Sequence, residues 1–400
     1  MQTSLNEIFQ NYVNKKPLFK DKNILTINFT PDNIPHRDKQ LEQIALILAP
    51  VLRNEKPSNI FIYGKTGTGK TLVITKIMET LKKSAVKYNI SLKIIYVNCK
   101  MRKVADTEYR LLAQLISSFN ETVPYTGLPT NELYDKFFRL LDSVQQNVII
   151  VLDEIDVLVN KIGSDILYNI TRINQELKNT KLTLVGISNN ISFMENLDPR
   201  VKSSLSEEEV IFPPYNATEL KDILSERVNE AFYENTVSPG VISKCAALAA
   251  QEHGDARRAL DLLRVAGEIA ERLGSEKISE VHVDMAQQKL DTDRVLETIK
   301  TQPKQSQAVF KAILNLYRRG ERNIQTGDVY DVYSQICKRN NLIPLTQRRV
   351  SDLISELDTL GIINATVLSK GRYGRTRKIN LNMPNQLINK LNEILSREFI

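Results

Sequence analysis

Five short apolar runs punctuate the first half of the chain: "NIFIY" (59–63), "KIIYV" (93–97), "NVIIVL" (147–152), "LTLVGI" (182–187) and "EVIF" (209–212). Near-continuous apolar runs of this length mark strands covered on both faces, the pattern of a parallel sheet. The segments between them are long enough for crossover helices, so an α/β domain is expected to end near Pro213-Pro214. Beyond those prolines the runs stop. "NATELKDILSERVNEAFY", "VISKCAALAAQEH" and "DARRALDLLRVAGEIAERLG" place apolar residues at helical spacing. A third unit follows, with helical stretches and then "TQRRVSDLISELDTLGII". There Val350, Leu353, Ile354, Leu357 and Leu360 are expected to pack inward, and Gly361 suits the helix end. Two short strands around a basic turn come next. Residues 1–20 show no clear periodicity and are expected to form a flexible arm.

Composition narrows the class. With 42% hydrophobic and 25% charged residues over 400 positions, the chain is globular and large enough for two or three domains. Cys99, Cys245 and Cys337 form no close pair, which argues against a disulfide framework or a zinc site. No apolar run reaches the length of a membrane span and no signal peptide is evident, so a cytoplasmic protein is expected, with no membrane partner. The net charge is +7, and it is not spread evenly. Nine Lys and Arg stand against three acids between Ile336 and Asn380, a local excess of +6. Such a segment is expected to meet a polyanion.

The chemistry begins where the first strand ends. Gly64, Lys65, Thr66, Gly67, Thr68, Gly69, Lys70 and Thr71 match GxxxxGK[ST] in full, between a strand and a helix. The glycines let backbone N–H groups curl toward phosphates, and the helix N-terminus adds a favourable dipole. Lys70 is expected to reach the β- and γ-phosphates, and Thr71 to coordinate Mg²⁺, with Leu72 next in the helix. In "VIIVLDEID" an apolar strand delivers Asp153 beside that loop to hold Mg²⁺, and Glu154 to polarise the attacking water. Asn189, after "LVGIS", is a candidate for the γ-phosphate or the water. In "HGDARRALDLLR", Asp255 suits an N-cap and Arg257 sits in the first turn, where a cation opposes the helix dipole. An anionic partner for Arg257 is therefore expected. ATP/ADP and Mg²⁺ are the expected cofactors.

Taken together these residues resemble the AAA+ ATPases, and the match extends further. "LDPRVKSSLSEEEVIFPPYNATEL", "HGDARRALDLLRVAGEIAERL" and "TQRRVSDLISELDTLGII" with "GRYGRTRKI" are similar to the archaeal origin-recognition initiators. Those are homologues of eukaryotic origin-recognition subunits and of cell division control protein 6. Beyond the flexible arm (1–20), the resemblance implies three domains: an AAA+ nucleotide-binding α/β domain (21–215), a helical lid (216–292) and a DNA-binding winged helix (293–400). It gives Asn189 and Arg257 the two sensor roles and puts Pro35, His36, Arg37 and Tyr215 near the adenine. Arg200 becomes the candidate finger toward a neighbour's nucleotide. Several relatives carry an arginine four residues later, where this chain has Ser204. The family also inserts a DNA-touching helical element after the second strand, where Arg102 and Lys103 are the candidates.

At the C-terminal end, Gln347, Arg348 and Arg349 begin the helix expected in the major groove. A hairpin tip follows, with Lys370, Gly371, Arg372, Tyr373, Arg375 and Arg377 set to meet backbone or minor groove. With Lys378, five cations are crowded there, and they repel one another unless a polyanion approaches. The expected function is an ATP-binding, slowly hydrolysing DNA replication initiator associated with chromosomal DNA. It would recognise double-stranded origin DNA, sit beside paralogous initiator subunits on adjacent sites and help recruit the replicative helicase. A clamp loader or translocating motor is the alternative from another class, and it needs a reliable finger. A winged-helix transcriptional regulator with a degenerate ATPase is disfavoured by the intact phosphate site.

Overall fold

The structure is a computed structural model that describes residues 13, 15–26, 29–101, 105–124, 127–205, 207–369, 375–381 and 383–399. It divides into two compact units, Met1–Asp284 and Met285–Ile400, with the division inside the helix Glu280–Thr301.

Five parallel strands build the first unit: β1 (Asn59–Tyr63), β2 (Leu92–Asn98), β3 (Gln146–Asp153), β4 (Thr180–Ser188) and β5 (Glu207–Ile211). Their spatial order is β2-β3-β4-β1-β5. Alternate residues of each strand point to opposite faces, and both faces are apolar. Phe61, Val148, Ile150, Leu152 and Leu184 join one core, while Ile60, Ile62, Ile149, Val151 and Ile187 join the other. This is why the central strands are unbroken apolar runs. At the sheet edge β5 differs: it starts at Glu207 rather than 209, and Glu209 and Ile211 are exposed around buried Val210.

The helices Ala217–Ala231, Pro239–Gln251 and Ala256–Leu273 pack together after the two prolines. Asn216 and Glu219 close a capping box on the first, at 2.9 Å in each direction. The expected loose arm is corrected at its end. Leu18 and Phe19 are buried, Phe19 stacks on Phe232 with ring centroids 4.5 Å apart, and Lys22 pairs with Glu271 at 2.8 Å. Two apolar side chains that fit a lid surface outweigh the missing periodicity.

In the second unit the helices Lys304–Arg318, Thr326–Arg339, Gln347–Thr359 and Asn385–Glu398 surround one core with a three-stranded antiparallel sheet. Its strands are β6 (Ile324–Gln325), β7 (Asn364–Ser369) and β8 (Arg375–Asn380), in the order β6-β8-β7. Val350, Leu353, Ile354 and Leu357 face inward as expected, but Leu360 is 47% exposed. It caps the helix just before Gly361 turns the chain with φ +70°, so the apolar stripe ends one turn early.

Candidate nucleotide site and nucleic-acid interface

The loop between β1 and the helix Lys70–Lys87 is held by two left-handed glycines. Gly69 has φ +90° and Gly67 φ +73°, and a Cβ on Gly67 would lie 1.7 Å from an Asp255 carboxylate oxygen. Lid and loop are thus in direct contact, and Ala256 N donates to Gly67 O at 3.2 Å. Lys70 is 5% exposed, and its ammonium donates to Gly64 O (2.6 Å), Lys65 O (2.7 Å) and Asn189 Oδ1 (2.9 Å). Burial pushes that ammonium down to about 8, against the pull of Asp153. The β1–β4 pairing brings Asn189 to this loop, because β4 runs beside β1 and ends next to it.

Asp153 ends β3 and is buried. Its carboxylate accepts from the Thr71 hydroxyl (3.0 Å), the Tyr96 hydroxyl and Glu154 N (2.9 Å). Burial, then the bond to Asp153, holds the Tyr96 phenol protonated far above the usual tyrosine range. Hydroxyl and carboxylate oxygens are hard donors, so Thr71 and Asp153 fit a magnesium ion, which would supply charge neutralisation for phosphates. Glu154 adopts the left-handed conformation with φ +57°, and Lys100 Nζ stands 3.4 Å from its carboxylate. Asp255 caps the helix Ala256–Leu273, accepting from Arg257 N (2.8 Å) and Arg258 N (3.4 Å).

These groups share one cavity of about 410 Å³. Thr66 through Leu72, Asp153, Glu154, Asn189, Tyr215 and Arg257 line it, as does Pro35. Two residues expected at the adenine do not. His36 turns outward to Asp222 at 3.0 Å, and Arg37 is buried with its donors on backbone carbonyls. Arg200 is on the surface, paired with Asp198 at 3.0 Å, and is not among the cavity's walls.

In the second unit Gln347, Arg348 and Arg349 are all exposed at the start of their helix, which Thr346 caps by accepting from Arg349 N at 3.4 Å. Arg349 lies along the helix toward Glu356 (3.5 Å) and Asp352 (3.9 Å). Arg375 opens β8 opposite Ser369, and Arg377 N donates to Thr326 Oγ1 at 3.2 Å. Arg102, Lys103, Lys370, Gly371, Arg372 and Tyr373 lie outside the described residues.

Three family models match in register with this architecture. An AAA domain matches residues 53–193, a Cdc6 AAA+ ATPase-type lid domain 221–288 and a CDC6 C-terminal winged helix domain 297–390. The ORC1-type DNA replication protein of Thermococcus onnurineus is 55% identical over 95% of this chain and 92% of its own length. That of Pyrococcus furiosus is 54% identical over 97% and 92%. The Aeropyrum pernix ORC1 protein, solved in complex with DNA, superposes with a TM-score of 0.84 at 45% identity, covering 96% of this chain and 98% of that one. The chain belongs to the ORC1-type DNA replication proteins. Its fold is accordingly an AAA+ parallel-sheet domain with a helical lid and a winged helix. Among the described residues of this ORC1-type protein, no helix is long and apolar enough to cross a membrane.

Among the cavity-lining side chains that sequence reasoning missed, Tyr96, Lys100 and Arg227 carry the chemistry. Tyr96 and Lys100 reach it only because β2 pairs with β3 in the register Asn98↔Asp153, which no local spacing reveals. Arg227 did leave a signal. It stands on the buried stripe Leu220, Leu224, Arg227, Ala231, where a cation is out of place. It is 7% exposed, its guanidinium lies 4.7 Å over the Phe29 ring, and Nη1 has no hydrogen-bond partner among the described residues.

Proposed function

We propose that this protein is an ATP-switched replication initiator. It binds Mg²⁺-ATP in the cavity between loop and lid, hydrolyses it slowly and reads double-stranded origin DNA through its winged helix. The observation that carries this reading is the convergence of Lys70, Thr71, Asp153, Glu154 and Asn189 with the lid's Arg257 on one cavity. A phosphate-binding loop alone would suit any nucleotide protein, whereas a lid cation on the same wall suits a switch.

In this reading Lys70 holds the β- and γ-phosphates, and its short bonds to Gly64, Lys65 and Asn189 are what the phosphates would replace. Asp153 and Thr71 hold magnesium. Glu154 orients and deprotonates the attacking water, and Asn189 and Arg257 meet the γ-phosphate. Tyr215, Pro35, Phe29 and Arg227 are assigned to the base and ribose end. Arg200, free of the cavity in its own chain, is available to a neighbouring subunit's nucleotide. Gln347, Arg348 and Arg349 enter the major groove. Lys370, Gly371, Arg372, Tyr373, Arg375 and Arg377 meet backbone or minor groove, and Arg102 and Lys103 add contacts. Work beside paralogous subunits and recruitment of the replicative helicase complete the proposal.

Titration with a fluorescent ATP analogue and Mg²⁺ tests its base. Lys70→Ala should weaken binding by at least about tenfold, because charge-assisted bonds to phosphate are lost. Unchanged affinity would remove the cavity from this role.

A further inference from the structure

We propose that Arg37 is a positioning residue that couples the phosphate loop to the turn joining sheet and lid. The proposal rests on the nucleotide reading above and deepens it by naming the route from loop to lid.

Arg37 is 1% exposed. Its Nε donates to Thr68 O (2.9 Å), its Nη2 to Pro213 O (2.7 Å) and its Nη1 to His36 O (3.0 Å). Thr68 belongs to the phosphate loop, and Pro213 begins the turn. The guanidinium also lies face-on to Tyr215, 3.7 Å from the ring centroid. Tyr215 N in turn donates to Gly254 O at 3.3 Å, next to the Asp255 that caps Arg257's helix. A continuous run of contacts therefore leads from loop to lid cation with Arg37 at its centre.

Three features argue against simple filler. A buried cation with backbone acceptors is costly unless its geometry is needed. Pro213 and Pro214 have no N–H, so those two positions offer only carbonyls, and the donor to Pro213 O must come from elsewhere. The planar fork of arginine serves several acceptors in fixed directions, which a lysine cannot do. There is also little slack: a Cβ on Gly69 would come within 2.9 Å of the Tyr215 hydroxyl and 3.9 Å of Arg37 Nε. Any rearrangement of the loop on phosphate binding shifts the Thr68 acceptor of a guanidinium whose other arm holds the turn at Pro213 O.

Hydrogen exchange on the full chain, with Mg²⁺-ADP and with a non-hydrolysable Mg²⁺-ATP analogue, tests this beside affinity. Arg37→Lys should bind the analogue within about threefold of the parent, while the difference between the two nucleotides at the amides of residues 215–216 and 254–257 falls by more than half. A merely structural arginine would lower thermal stability and leave that difference intact, and an intact difference would overturn the proposal. Loss of nucleotide binding together with the response would place Arg37 in the binding site itself and overturn it equally. Should Arg37→Lys not fold, the parent decides: protection of 64–71 with the amides of 215–216 unmoved is the negative result, and protection of both in step the positive one. A parent that binds neither nucleotide would instead sink the nucleotide reading on which the coupling rests.

Discussion

Glu154 holds a backbone conformation that costs a glutamate about 1–2 kcal/mol, with φ +57° immediately after the buried end of β3. Strain at such a point is maintained only when a side chain must face a particular way, and here it faces the cavity. Lys100, 3.4 Å away, balances its charge in the absence of phosphates. Glu154→Gln keeps the shape and removes the proposed base, so Mg²⁺-ATP binding should persist while phosphate release falls roughly a hundredfold or more. Parent-like turnover would strip the residue of its role. Lys70 gives the pH dependence. Burial sets its ammonium near 8, and a bound triphosphate favours the charged form. Around and above that pH, part of the population is neutral before binding and charged after it. Binding should therefore take up protons, and affinity should decline as pH rises past about 8. Calorimetry at pH 8.5 in two buffers of different ionisation enthalpy reads the uptake directly, and uptake unchanged in Lys70→Ala would assign it elsewhere.

Among the elements, the helix Ala256–Leu273 is placed by its cap rather than by propensity, since Asp255 both satisfies its first N–H groups and touches Gly67. That contact turns Arg257 toward the cavity. Arg257→Ala should lower hydrolysis and blunt the difference between ATP and ADP in protease resistance of the lid. Equal digestion of mutant and parent under both nucleotides counts against a sensor. How far these elements are legible in sequence follows from where their information lies. β1, β3 and β4 are readable because burial on both faces leaves them unbroken apolar runs. The edge strand β5 alternates and slips by two residues at its start. The phosphate loop is contiguous and carries its own signature, as does the acidic end of β3. Tyr96 and Lys100 act through partners 57 and 54 positions away, so only the sheet register reveals them, and the bonds of Arg37 to Thr68 and Pro213 span 31 and 176 positions. Leu18 and Phe19 escape for the same reason, since their partners lie in the lid.

At the scale of the whole molecule the decisive property is uneven charge. Of a net +7, the stretch from Ile336 to Asn380 holds +6, so the remaining residues are close to neutral overall. A polyanion should feel chiefly that stretch, and its two parts should act differently. Arg348 and Arg349 begin a helix whose exposed start suits the major groove, where an arginine–guanine pair discriminates by roughly 1–3 kcal/mol. The exposed pairs of Arg349 with Asp352 and Glu356 are too weak to prevent this, each being worth under about 1 kcal/mol. Arg375 opens β8 and Arg372 lies outside the described residues; both are proposed to meet phosphate, where contacts add affinity on any sequence. Arg349→Ala should therefore shrink the ratio between specific and random duplexes. Arg372→Ala or Arg375→Ala should weaken both duplexes together and lower the slope of log affinity against log salt by about 0.9 per lost phosphate contact. Lys82→Gln with Lys83→Gln, on the exposed face of the helix Lys70–Lys87, provides the control and should leave that slope unchanged. Titrations at two salt concentrations separate the cases. If hairpin variants lost only specificity and Arg349→Ala only general affinity, the roles of helix and hairpin would be reversed. A slope that fell in the lysine control would mean the polyanion also meets the first unit through its sheet-flanking helix.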